Sequence, residues 1–203
     1  MRVVASLALV LLVAISRPAL AEPSIAIETS MGTVVLDLDR AHAPKTVDNF
    51  LRYVGEGHYD GTFIYRVVPG FVIQAGSFDS PMHTRPVHDP IPLEAGNGLH
   101  NLRGTIAMAR QVDPNSATAE FFINLADNAK LDRQPGDAEG TTGYAVFGHV
   151  TSGMGVVDEI ASAPAGEGGP MPGAWPQIPI KIEHVRVLAA PPAPAPDAVT
   201  RRQ

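Results

Sequence analysis

The sequence predicts a mainly β domain, a closed antiparallel barrel or a sandwich, carrying two helices. Three observations lead there. Short runs of alternating apolar and polar residues recur along the chain, the period of half-buried strands. Two stretches carry apolar residues at helical spacing. Gly and Pro number 19 each in 203 residues, which suits many turns and loops better than a helical bundle. With 45% hydrophobic residues and no internal repeat, the chain fits one domain with a sizeable core.

The first segment is expected to be a targeting signal. Arg2 precedes an unbroken apolar and small run from Val3 to Ile15, too short for a membrane span of about 20 residues. Ala19-Leu20-Ala21 then supplies a small-x-small cleavage pattern. Residues 1–21 are read as a signal peptide cut after Ala21, residues 22–188 as the folded domain, and residues 189–203 as a disordered Ala/Pro-rich tail. The expected location is the periplasm, with no membrane attachment after cleavage.

The elements follow in order. Ser24–Glu28 and Thr33–Leu38 alternate around a Met31-Gly32 turn and predict a hairpin. Pro44 sits well at the start of a helix, where a missing N–H costs nothing. Val47, Phe50, Leu51 and Val54 give that helix an apolar face, and Gly55 and Gly57 close it. Phe63 to Gln74 is strand-rich and broken at Pro69-Gly70, and residues 76–103 read mostly as loop. Thr105–Ala109, Phe121–Leu125 and Tyr144–Val150 predict further strands. Val156, Val157 and Ile160 mark a short helix over Met154–Ala161. Pro164–Pro179 reads as a Gly/Pro-rich loop, and a last strand begins at Ile180 with a slip in alternation at His184.

Composition narrows the chemistry. Cysteine is absent, which removes disulfides, thiol catalysis and Cys-based metal sites. A net charge of −6 without a basic cluster along one element favours neither nucleic acid nor an anionic membrane. The chain has no G-x-S-x-G elbow, P-loop or H-E-x-x-H motif. His83 and His88 share a loop with Asp79 and Asp89, but their irregular spacing argues against a metal site. Asp37 and Asp39 share one face of a strand and read as solvated carboxylates, not a glycosidase pair.

The informative stretch runs from Phe63 to Gly76. Arg66 interrupts a strongly apolar strand, and Gln74 ends an apolar run; each either faces solvent or has a partner or a task, because burying such a group alone is costly. Adjacent Phe121 and Phe122 should lie on opposite faces, one in the core and one available to a pocket.

At these residues the chain resembles the cyclophilin family. Phe63–Gly76 is similar to the family's F-H-R-[VI]-[IV]-P-G-F-M-x-Q-G-G. Gly104–Arg110, Ser116–Asn124 and Tyr144–Val150 resemble three further family segments in the same order, and Ala43–Phe50 matches its first helix. The resemblance spans about Ser24 to Leu188. It implies an eight-stranded antiparallel barrel capped by two helices, with the active site on the outer face. It implies rotation about X–Pro bonds of peptide and protein chains, with no cofactor, no metal and no covalent intermediate. The implied partners are proline-containing segments of unfolded or exported proteins, met by a monomer.

By the same resemblance Arg66 is the catalytic residue. Phe71, Val72, Phe122, Leu131 and Tyr144 form the proline pocket, and Gln74 meets substrate backbone beside the rotating bond. Ala109 and Arg110 offer main-chain groups to the residue before proline. Glu120 stands where the family usually has Gln, and is expected to pair with Arg66 or Arg110 or to tune substrate preference. Lys130 stands where many eukaryotic members have a Trp that meets the inhibitor cyclosporin. Val72 replaces the usual Met, Tyr144 a frequent His, and Arg133–Thr142 reads as an extra loop. Two other classes compete with the enzyme: a cyclophilin-like binding module or chaperone with little turnover, and a small-ligand barrel with a filled interior.

Overall fold

Twelve strands and two helices make up the computed structural model, which describes residues 22–81, 83–138 and 142–189. The expected signal peptide, and the expected tail beyond Ala189, lie outside the described residues. The strands are β1 Ser24–Thr29, β2 Gly32–Leu38, β3 Ile64–Val68, β4 Val72–Ala75, β5 Phe78–Ser80, β6 His83–Thr84, β7 Thr105–Met108, β8 Phe121–Asn124, β9 Val146–Ser152, β10 Ala165–Gly166, β11 Trp175–Pro176 and β12 Ile182–Val187. The helices are α1 Pro44–Gly55 and α2 Met154–Ala161. Eight strands form one antiparallel sheet in the order β12-β1-β2-β9-β7-β8-β4-β3.

The expected barrel is not fully closed. The edge strands β12 and β3 meet only where they begin: Gly61 N–H donates to the Ile182 carbonyl at 2.7 Å, Ile182 N–H to Thr62 at 2.8 Å, and Ile64 N–H to Ile180 at 2.9 Å. Farther along β3, Val67 N–H donates to the Ala174 carbonyl at 2.8 Å. A loop segment thus covers the rest of that edge, leaving no room for a full ladder while still satisfying the strand. The Gly/Pro-rich loop is less irregular than expected, because β10 and β11 pair within it, and β5 and β6 pair within the earlier loop. These two- and three-residue ladders are too short to leave a period in the sequence.

Alternation sorts the sheet's two faces. Ile25, Leu36, Ile106, Phe121, Ile123 and Phe147 point into one core. Helix α1 contributes Val47, Phe50 and Val54 to it, with the Phe50 ring 5.1 Å from Tyr59 and 5.6 Å from Phe121. No side chain of its own caps α1; instead the Glu94 carboxylate accepts hydrogen bonds from Thr46 N–H at 2.8 Å and Lys45 N–H at 3.2 Å. An anion there suits the positive helix end. Helix α2 buries Val157 and Ile160. The apolar void left inside the sheet, between residues such as Ile27, Ile64, Phe121 and Ile160, is about 20 Å³. That is at most one water's space and excludes a small-molecule ligand in the interior. The slip expected at His184 is present: Glu28 opposes His184, but Thr29 opposes Ile182.

Candidate active site on the outer face

The residues that alternate outward from β4, β8, β7 and β9 build a second, smaller apolar cluster: Val72, Phe122, Ala107, Ala109 and Val146. Register explains it. Gln74 lies opposite Phe122, Phe122 opposite Ala107, and Ala107 opposite Val146, so one row of outward side chains crosses four strands. Phe121 and Phe122 take opposite faces, as adjacent strand residues must. Phe71, Leu99, Leu131 and Tyr144 pack around the row and raise walls on it.

The result is a cavity of about 180 Å³ lined by Arg66, Phe71, Val72, Gln74, Ala109, Arg110, Phe122, Leu131 and Tyr144. Its floor is apolar and its rim carries polar and cationic groups. The Phe122 and Tyr144 rings meet edge to face at 5.6 Å, a favoured aromatic geometry. The Phe71 carbonyl accepts hydrogen bonds from Leu125 N–H and Asn128 Nδ2, both at 2.9 Å. Asn128 also donates to the buried Asn124 side chain at 2.8 Å. This network ties Phe71 to the one-turn helix Ala129–Leu131, and so holds two walls of the cavity together.

A bulge in β3 brings Arg66 to the site. Ile64 pairs with Ala75 and Arg66 with Gln74, so Tyr65 is an extra residue on its strand. Ile64 and Val67 both reach the core, while Tyr65 and Arg66 both leave it. A bulge of this kind re-aims side chains, and a regular strand would have sent Tyr65 and Arg66 to opposite faces. Arg66 Nη1 donates to Gln74 Oε1 at 3.1 Å, its one hydrogen bond among the described residues. Among the described residues the other N–H groups of the fork make no hydrogen bond, and Arg66 lines the cavity.

Behind Gln74 lies a polar cluster. The amide of Gln74 donates to the Tyr65 hydroxyl and to Glu120 Oε2, the latter at 3.2 Å. Tyr65 donates to the same carboxylate oxygen at 2.8 Å, and Ser77 Oγ donates to Glu120 Oε1. Burial, reinforced by the Glu120 carboxylate, pushes the Tyr65 pKa far up, so this phenol stays a donor. Gly76 permits the approach: at φ +111° a Cβ there would lie 2.6 Å from the Ala119 carbonyl oxygen. Because a carboxylate only accepts, Glu120 leaves the Gln74 amide a single orientation, nitrogen toward Glu120 and oxygen toward Arg66.

Glu120 therefore does not line the cavity, and neither arginine expected to pair with it is its partner. Gln74 stands between Glu120 and Arg66. Arg110 is held elsewhere, donating to the carbonyls of Gly143 and Gln111, each at 2.9 Å, with its guanidinium 4.9 Å above the Tyr144 ring. Lys130 also lies outside the lining. It stands at the rim with its ammonium 4.5 Å from the Phe71 ring centroid. Of the extra loop 133–142, the residues 139–141 lie outside the described residues; Asp137 ties its described part by accepting from Gln134 N–H at 3.0 Å and from the Thr142 hydroxyl.

Sequence reasoning missed Tyr65, Ser77, Leu99 and Asn128. Tyr65 is a phenol next to Arg66, but neighbours on a regular strand take opposite faces, so nothing in the sequence joins it to the site. Ser77, Leu99 and Asn128 sit in loops, where no periodicity points to a partner.

The family model for "Cyclophilin type peptidyl-prolyl cis-trans isomerase/CLD" matches residues 24–187. Peptidyl-prolyl cis-trans isomerase A of Dickeya dadantii is 43% identical over 190 residues, covering 92% of this chain and 97% of the relative. Peptidyl-prolyl cis-trans isomerase B of Escherichia coli is 45% identical over 159 residues, covering 78% and 96%. A crystal structure of a cyclophilin-type isomerase from Cryptosporidium parvum superposes with a TM-score of 0.69 at 22% identity, covering 84% of this chain and 99% of that one, which bears on the fold.

Proposed function

The chain belongs to the cyclophilin-type peptidyl-prolyl cis–trans isomerase family, and from that membership we propose that it accelerates rotation about X–Pro bonds in exported proteins, with Arg66 as the catalytic group. The observation that carries the reading is Arg66, with a single hydrogen bond among the described residues, lining a cavity of about 180 Å³ whose floor is apolar.

The chemistry follows from the barrier. An X–Pro bond twists against about 18–20 kcal/mol, because resonance gives the C–N bond partial double character. As the bond twists, the prolyl nitrogen becomes pyramidal and regains a lone pair. A guanidinium fixed beside it donates a hydrogen bond that is stronger in the twisted state than in the planar one, which is the condition for catalysis. Arginine suits the task because it stays charged and its planar fork holds direction. Phe71, Val72, Phe122, Leu131 and Tyr144 take the proline ring and exclude water from the amide. Ala109, Arg110 and Gln74 also line the cavity; in this reading the first two meet the residue before proline and Gln74 meets the backbone beside the rotating bond.

The leader pattern of Arg2, Val3–Ile15 and Ala19-Leu20-Ala21 supports export to the periplasm. There the enzyme acts as a monomer on incompletely folded chains, where prolyl isomerisation takes tens to hundreds of seconds unaided.

A protease-free isomerisation assay on a proline peptide tests the reading. Arg66→Ala should lower kcat/KM by about a hundredfold or more, the usual loss of one transition-state donor at about 2.7–4 kcal/mol. Near-normal activity in a folded Arg66→Ala protein would refute the assignment. Tight peptide binding without turnover in the unmodified protein would favour a binding module.

A further inference from the structure

The cavity's charge does not match the protein's. The chain carries a net charge of −6, yet three cations frame the candidate site: Arg66, Lys130 and Arg110. Two of them share one ring, with the Arg66 guanidinium carbon 5.7 Å and the Lys130 ammonium 4.5 Å from the centroid of Phe71. Arg110 lies on the other wall, over Tyr144. None of the three makes an ion pair among the described residues.

Among the described residues, three carboxylates of neighbouring segments are committed elsewhere. Glu120 is taken up by Tyr65, Gln74 and Ser77 behind the cavity. Asp132 accepts from the backbone and side chain of Asn101, at 2.7 and 2.8 Å, and pairs with His100. Asp113 accepts from Asn115 N–H at 2.9 Å, turned into its own loop. Two cations on one aromatic ring repel each other, and no carboxylate among the described residues pairs with either. An exposed lysine also gains little from Phe71 alone, since a surface cation–π contact is worth only about 0.5–1 kcal/mol. What the arrangement lacks is an anion at the Phe71 end of the cavity.

We propose that this site selects proline segments bearing an acidic side chain in the one or two residues after the proline, with Lys130 and Arg66 as the groups that read it. The inference rests on the isomerase reading. With Arg110 beside the residue before proline, the chain leaves the cavity past Phe71, where Lys130 and Arg66 lie. A carboxylate there supplies the missing counter-charge. A lysine there adds a third like charge to the ring's surroundings, and is rejected by the same field. Among the described residues Lys130 makes no hydrogen bond or ion pair, which leaves it free to swing to meet the substrate; Arg66 is already held by Gln74.

The experiment uses three peptides that differ only in the residue after proline: Glu, Ala or Lys. For each, kcat/KM is read in the protease-free assay and Kd by fluorescence anisotropy, at low salt and at 1 M salt. The expected order is Glu over Ala over Lys, with about tenfold between the extremes at low salt, as for one or two partly screened charge pairs. The spread should collapse at high salt, where the Debye length falls to about 3 Å. Lys130→Glu should reverse the order. Equal kcat/KM and equal Kd for the three peptides, or an order that Lys130→Glu leaves untouched, would overturn the proposal. A preserved Kd order without turnover on any peptide would support the charge selection while refuting the isomerase reading.

Discussion

Replacing Glu120 with Ala removes the acceptor on which three donors converge, although Glu120 itself does not face the cavity. Its Oε2 takes the Tyr65 hydroxyl at 2.8 Å and the Gln74 amide at 3.2 Å, and its Oε1 takes Ser77. Tyr65 is fully buried, so its hydroxyl would lose its acceptor in a place without ready access to water. A buried polar group left unsatisfied costs about 1–3 kcal/mol. In a domain of this size each kcal/mol moves the melting temperature by about 2–4 °C, so a fall of roughly 2–12 °C is expected. Activity should fall as well. Once Glu120 no longer fixes the Gln74 amide, its oxygen is free to turn from Arg66, and the guanidinium loses its direction. The expected loss in kcat/KM is about tenfold, smaller than for losing the donor itself. Glu120→Gln should restore most of both, because its oxygen can accept from Tyr65 and Gln74 while its amide donates to Ser77. A double-mutant cycle separates this route from general damage: in an Arg66→Ala background, Glu120→Ala should cost almost no further activity. Full additivity of the two losses, or an unchanged melting temperature and kcat/KM in Glu120→Ala, would refute the reasoning.

Two further outcomes follow from particular side chains. His58 is half-buried, with Nε2 3.0 Å from the Gly76 carbonyl; burial holds its pKa below the ordinary imidazole value, against the opposing pull of that hydrogen bond. The unfolded chain takes up a proton near about pH 6.5 that the folded state resists, so this stabilisation is complete above that pH and is lost as pH falls below it. Urea midpoints between pH 8 and 5 should therefore decline less steeply in His58→Gln, and parallel curves would discount the effect. Cyclosporin should inhibit the protein poorly, because at the rim Lys130 offers a strongly hydrated ammonium where sensitive relatives offer an indole, and Lys130→Trp should tighten inhibition in the same assay. Tight inhibition of the unmodified protein would mean that another group makes that contact.

Much of this architecture was legible because it is local. The faces of α1 and α2, the opposite placement of Phe121 and Phe122, and the slip near His184 all follow from side-chain periods within one segment. The cavity residues other than Leu131 were legible through four motif segments taken in order, not through any period. What the sequence could not decide depends on register between strands far apart in the chain. The extra residue at Tyr65 is visible only when Ile64 and Arg66 are set against Ala75 and Gln74, and it alone brings the phenol and the guanidinium to one face. The partners of Glu120 were out of reach for the same reason: 46 residues separate it from Gln74, and an acceptor-only side chain shows no preference among donors until packing sets their distances. The open seam of the sheet, too, was a tertiary outcome. A strand's period says nothing of its neighbour, and the loop around Ala174 took the edge of β3 that a closing ladder would have used.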